Sequence, residues 1–163
     1  MMDKYLDKLF PPGYDRDEEL KRLIVVFVIA VLNSFRFFIA YYEAYGDLFW
    51  YDGLRIKETG VWEKTVRPGE VIVPFKELIG QSFLFFIVFV LVLVAVAGQH
   101  YWYYTKGSKS IYLARRLPER YYALKTCLGV TGIGIGITLL SVGLLLGIFY
   151  LVYIFVTPAG CLP

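Results

Sequence analysis

Side chains able to do chemistry are few in this chain, and they are scattered. His100 is the only histidine, and no Cys, Asp or Glu stands in the residues around it. Local sequence therefore offers neither a metal-ligand set nor an acid–base pair built on imidazole. Gly107-Ser108-Lys109-Ser110 has the ending of a phosphate-binding loop, yet no glycine directly precedes the lysine, so ATP binding by that route is not expected. Gly132-x-Gly134-x-Gly136 is not a nucleotide loop either, because its flanks are apolar and no strand pattern leads into it. Without a convergent nucleophile, base and metal ligand, the reading is a non-enzymatic protein with no cofactor, no metal and no nucleic acid partner.

The elements that would carry these residues follow from composition. Of 163 residues 58% are hydrophobic and 19% charged, with a mean hydropathy of +0.57, outside the balance of a soluble domain. The apolar residues concentrate in Leu23–Tyr42, Leu78–Ala97 and Leu128–Val156. At about 1.5 Å per residue each block spans the roughly 30 Å hydrocarbon core. The polar segments are too short to bury cores of their own. The expected fold is an all-α membrane protein with three transmembrane helices. Its segments are a cytoplasmic N-terminal amphipathic stretch (1–22), a first span (23–43), an extracellular loop (44–76), a second span (77–99), a basic cytoplasmic loop (100–126), a third span (127–157) and an extracellular C-terminus (158–163).

Orientation rests on Lys and Arg in the short loops. The N-terminal segment holds five (Lys4, Lys8, Arg16, Lys21, Arg22) and the second loop six (Lys106, Lys109, Arg115, Arg116, Arg120, Lys125), against five in the first loop (Arg55, Lys57, Lys64, Arg67, Lys76). Only Glu119 offsets the six in the second loop, so this loop is the cytoplasmic anchor. The plasma membrane, with the N-terminus inside and the C-terminus outside, is the expected location. Met2, Tyr5, Leu6, Leu9 and Phe10 recur at helical spacing before Pro11-Pro12-Gly13 ends that element. Asp15 then offers an N-cap with Glu18 at the capping-box position. In the first loop Asp52-Gly53, Thr59-Gly60 and Pro68-Gly69 are turn signals, compatible with a small hairpin or with a solvated connector. Cys127 and Cys161 flank the third span, about 50 Å apart on a continuous helix, which excludes a disulfide between them.

Polar residues within the spans are costly and need an account. Asn33 and Arg36 share a face if the first span is an unbroken helix. Arg36 is expected to meet Glu77, Gln81 or a partner subunit, or else to snorkel to the outer headgroups. In the third span Gly129, Gly132, Gly136, Gly143 and Gly147 fall within a sector about 60° wide on an ideal helix. They include two G-x-x-x-G units, Gly132/Gly136 and Gly143/Gly147. Such a stripe lets helix backbones approach closely in lipid, although glycine is in any case frequent in membrane helices.

The second loop reads as a short helix, a sharp elbow at Pro118 and a run-in to the third span. Ser108 or Ser110 caps the helix, Ile111, Ala114 and Leu117 form a narrow apolar face, and Arg115, Arg116 and Arg120 are basic. A basic juxtamembrane segment of this kind contacts anionic lipid or a protein partner.

The string from Gly107 to Pro118, Gly-Ser-Lys-Ser-Ile-Tyr-Leu-x-Arg-Arg-Leu-Pro, preceded by His100-Tyr101-Trp102-Tyr103-Tyr104, resembles small uncharacterised membrane proteins of Firmicutes encoded beside an ABC-transporter ATPase and a larger permease. Pro74-Phe75 with Leu78-Ile79-Gly80, and the ending Thr157-Pro158 with Cys161-Leu162-Pro163, are similar too. The likeness thus runs from about residue 70 onward; position 114 is Ala where that family suggests Met, and residues before 70 agree only in hydropathy. The resemblance implies a membrane subunit of an ABC-type transporter complex. On it, Ser108, Lys109, Ile111, Tyr112, Arg115, Arg116 and Leu117 contact the ATPase, and the glycine stripe packs on the permease or on a second copy of the chain. The alternative is a regulatory or sensory anchor that reads an extracellular signal with the 46–75 loop.

Overall fold

The structure is a computed structural model that describes residue 10 and residues 15–50, 65–67, 69–106 and 122–163. The expected amphipathic helix before Phe10 and the elbow helix of the second loop lie outside the described residues. Of those described, 81% are helical. The helices are α1 (Arg16–Ser34), α2 (Arg36–Asp47), α3 (Phe75–Ile79), α4 (Leu84–Lys106) and α5 (Tyr122–Val156), followed by a 3-10 turn at Ala159–Cys161. Arg16–Asp47, Leu84–Tyr103 and Lys125–Val156 are long and apolar enough to cross a membrane. Among the described residues, three helices could thus span a membrane, consistent with a multi-pass membrane protein.

The start of α1 follows the expected chemistry. The Glu18 N–H donates to the Asp15 carboxylate at 3.3 Å, and Asp17, Glu18 and Glu19 occupy the first turn, where the helix dipole favours negative charge. The first span is not one regular helix, because at Phe35 it tightens into i→i−3 bonds, Phe35 N to Leu32 O at 3.2 Å and Phe38 N to Phe35 O at 3.0 Å. The second span starts later than Glu77. Pro74 opens the five-residue α3, the chain turns through Gly80–Phe83, and α4 begins at Leu84. Proline at the head of α3 supplies carbonyls but no N–H, which suits a helix start and stops the preceding extended run.

Contacts divide the chain into two units. The first comprises Met1–Val31 and Leu84–Val142. Its core is Phe10, Leu23, Phe89, Leu93 and Val130, with Phe27 set against both Phe86 and Phe89. The α4–α5 contact centres on one point: Thr131 Oγ1 donates to Leu93 O at 3.2 Å, and the Leu93 side chain lies over Gly134. A Cβ built on Gly134 would come within 2.8 Å of Leu93 Cδ1, so a larger residue there would make the tip of Leu93 shift.

The second unit comprises Leu32–Phe83 and Gly143–Pro163. Aromatic rings dominate its core. Phe37 stacks on Phe149 with centroids 4.5 Å apart and planes 7° from parallel, and Phe38 meets Phe149 edge-on. Polar tips find partners: Tyr41 Oη and Thr157 Oγ1 are 3.0 Å apart, and Tyr153 Oη donates to Val73 O at 3.2 Å. Ile72 N–H donates to Cys161 O at 2.8 Å, holding the C-terminal turn. Phe49–Trp50 pairs antiparallel with Thr65–Val66, a two-residue bridge that closes the base of the first loop. The hairpin tip lies outside the described residues. Cys127 and Cys161 are both free and buried.

Candidate functional site

The most concentrated chemistry in the first unit joins residues 81 positions apart. His100 Nε2 lies 3.1 Å from each carboxylate oxygen of Glu19. His100 is fully buried, and Glu19 is 8% exposed. The Phe10 ring meets the imidazole edge-on, with centroids 6.0 Å apart. The isolation of His100 in sequence does not carry over to space, where α4 and the first turn of α1 bring imidazole and carboxylate together. Burial of two ionisable groups is tolerable only when each satisfies the other. Among the described residues no three His, Cys, Asp or Glu side chains stand together as a metal site would require. The pair's evident work is to tie α1 to α4.

Helical phase contained a signal for this pair. Glu19, Leu23 and Ala30 are buried on one side of α1, and Phe89, Leu93 and His100 on one side of α4. Glu19 thus belongs to the packing face as well as to the acidic first turn.

The glycine stripe occupies the opposite side of α5 from the packing face. In the first unit, a Cβ on Gly132 or Gly136 would meet nothing within 4 Å among the described residues, in contrast to Gly134 between them. The same holds in the second unit for Gly143 and Gly147, while Phe149 is fully buried. Gly129 is half-buried. The glycine that serves packing within the chain is therefore Gly134, which the stripe omits. On a helix advancing about 100° per residue it points roughly opposite to Gly132 and Gly136.

The intramembrane polar residues do not gather in one place. Asn33 is half-buried, and its Nδ2 makes a long 3.5 Å hydrogen bond to Ser82 O, at the turn where α3 gives way to α4. Arg36, Glu77 and Gln81 are exposed, and the expected contact of Arg36 with Glu77 or Gln81 is not made among the described residues. At Phe35, between Asn33 and Arg36, two i→i−3 bonds interrupt the regular α-helix. Ser108, Lys109, Ile111, Tyr112, Arg115, Arg116 and Leu117 lie outside the described residues.

Comparison with protein-family models, curated proteins and solved structures matches nothing.

Proposed function

We propose that the chain is a non-enzymatic membrane subunit of an ABC-type transporter complex, coupled to a cytoplasmic ATPase through the 107–120 loop. The observation that carries the subunit reading is the open glycine face: among the described residues, no other side chain or element comes within 4 Å of the positions a Cβ would take on Gly132, Gly136, Gly143 and Gly147. Small residues on membrane helices serve close helix–helix contact. These four are not used for it within the chain, so the larger permease or a second copy is the fitting occupant.

In this reading the protein sits in the plasma membrane, N-terminus cytoplasmic and C-terminus extracellular. The amphipathic N-terminal helix lies at the inner surface. The elbow helix, with Ser108, Lys109, Ile111, Tyr112, Arg115, Arg116 and Leu117, docks on the ATPase, and ATP hydrolysis belongs to that partner. The likeness of Gly107–Pro118 to small Firmicutes proteins encoded beside transporter genes supports the choice of complex. Affinity purification of a tagged full-length chain in mild detergent tests it, with recovery of an ABC-type ATPase expected.

A second reading, a sensory anchor, draws on the first loop. Its base is held by the Phe49–Trp50 and Thr65–Val66 pairing, by Arg67 N–H on Leu48 O at 2.9 Å and by Ile72 N–H on Cys161 O. An anchored base is what a ligand-reading loop requires. Deletion of residues 51–64 would then abolish a response while sparing assembly.

A further inference from the structure

The first unit contains a wholly apolar cavity of about 190 Å³ where α1, α4 and α5 meet. Leu20, Ile24 and Phe27 form one wall, Leu93 another, and Ile133 and Ile137 the third. No polar side chain lines it. Ile24, Ile133 and Ile137 are each at least half exposed, so the cavity opens sideways, at positions within membrane-spanning helices. The medium at that opening is hydrocarbon.

The shape and chemistry of the cavity select its occupant. With no hydrogen-bond partner inside, water gains nothing by entering; apolar cavities of roughly 150 Å³ stay dry and admit a benzene-sized ligand. A helix, about 10 Å across, is far too wide. A single hydrocarbon chain fits. Lys21 lies one turn before Ile24 on the same side of α1, is exposed, and makes no ion pair among the described residues. A cation one turn from the rim is placed for a lipid phosphate. We infer that this cavity binds one acyl chain of a membrane phospholipid, with Lys21 at its phosphate.

This site does not depend on the transporter reading, since its residues and opening are the same whatever the partner. The test is native mass spectrometry of the full-length chain extracted from phosphatidylglycerol–phosphatidylethanolamine vesicles into mild detergent. The wild type should retain one phospholipid. Ile24→Trp and Ile133→Trp, which place an indole in the opening, should each lower that occupancy about tenfold. Lys21→Gln should lower it by a smaller factor. Leu139→Trp, at a position 68% exposed and outside the lining, should leave it unchanged and serves as the control for folding. Equal retention in wild type and filled variants would overturn the site, as would a wild type that carries no lipid, only free fatty acid, or a second copy's side chain in place of lipid.

Discussion

The imidazole of His100 and the carboxylate of Glu19 meet at 3.1 Å inside the first unit, although 81 residues separate them. In a protein whose other described interior contacts are mostly apolar or aromatic, this pair fixes α1 against α4 by a directional bond. Breaking a buried pair from one side leaves the other group uncompensated, at a cost of about 3–5 kcal/mol. Glu19→Ala and His100→Ala should each lower the thermal unfolding midpoint in detergent. The double replacement Glu19→Ala/His100→Ala should be less damaging than the two single losses added together. Additive losses in that double-mutant cycle would show that the two groups act independently.

Gly134 and its neighbours separate contact within the chain from contact with a partner. Gly134→Ala places a methyl group 2.8 Å from Leu93 Cδ1, in a region where Leu93 is itself 1% exposed. That atom is the far end of a flexible side chain that borders the apolar cavity, so Leu93 should shift to admit the methyl at a cost of at most about 1 kcal/mol. Gly132→Ala and Gly136→Ala meet open space. In the isolated chain they should be neutral or stabilising by up to about 1 kcal/mol through helix propensity. Thermal melts of these variants in detergent check the contrast.

The same outward glycines should matter in company. Gly136→Leu and Gly143→Leu fill a face that the chain leaves open, so the isolated protein should melt as the wild type does. Recovery of a membrane partner, or of a second copy, should fall sharply. Unchanged assembly, measured by co-purification or cross-linking, would mean that the stripe faces only lipid.

Much of this arrangement is legible in residue order, and the remainder depends on phase and distance. The three apolar blocks announce the three spans, Asp15 with Glu18 announces the first helix, and Pro74 announces a break in extended chain. The stripe shows which glycines share a face, but only the position of Leu93 shows that Gly134, on the opposite side, is the one that packs. Arg36 and Asn33 are three residues apart, yet Asn33 is half-buried and Arg36 exposed, a difference that spacing alone does not reveal. Helical phase puts Glu19 and His100 each on the packing face of its own helix, but only tertiary contact pairs them.

The second unit should be held chiefly by its ring stack. Phe37 and Phe149 are both fully buried and nearly parallel, so Phe37→Ala or Phe149→Ala should cost about 3–5 kcal/mol. Tyr41→Phe removes only the hydroxyl partner of Thr157 and should cost about 1 kcal/mol. Chemical or thermal denaturation followed by near-ultraviolet circular dichroism would rank the three.

Orientation is open to direct labelling. With Cys127 and Cys161 changed to Ser, Glu70→Cys should react with a membrane-impermeant maleimide on intact cells, and Lys125→Cys only after permeabilisation. Both positions are exposed, so the reverse pattern would invert the proposed topology.

The central claim is that this chain works as a membrane subunit coupled to an ATPase through its second loop. Its most direct test is quantitative affinity purification of the tagged full-length protein from native membranes, compared with the Arg115→Glu/Arg116→Glu variant. The account predicts an ABC-type ATPase bound to the wild type and lost from the variant, while the variant remains in the membrane and melts normally. A wild type that brings down no ATPase, or a variant that retains it in full, would contradict the account.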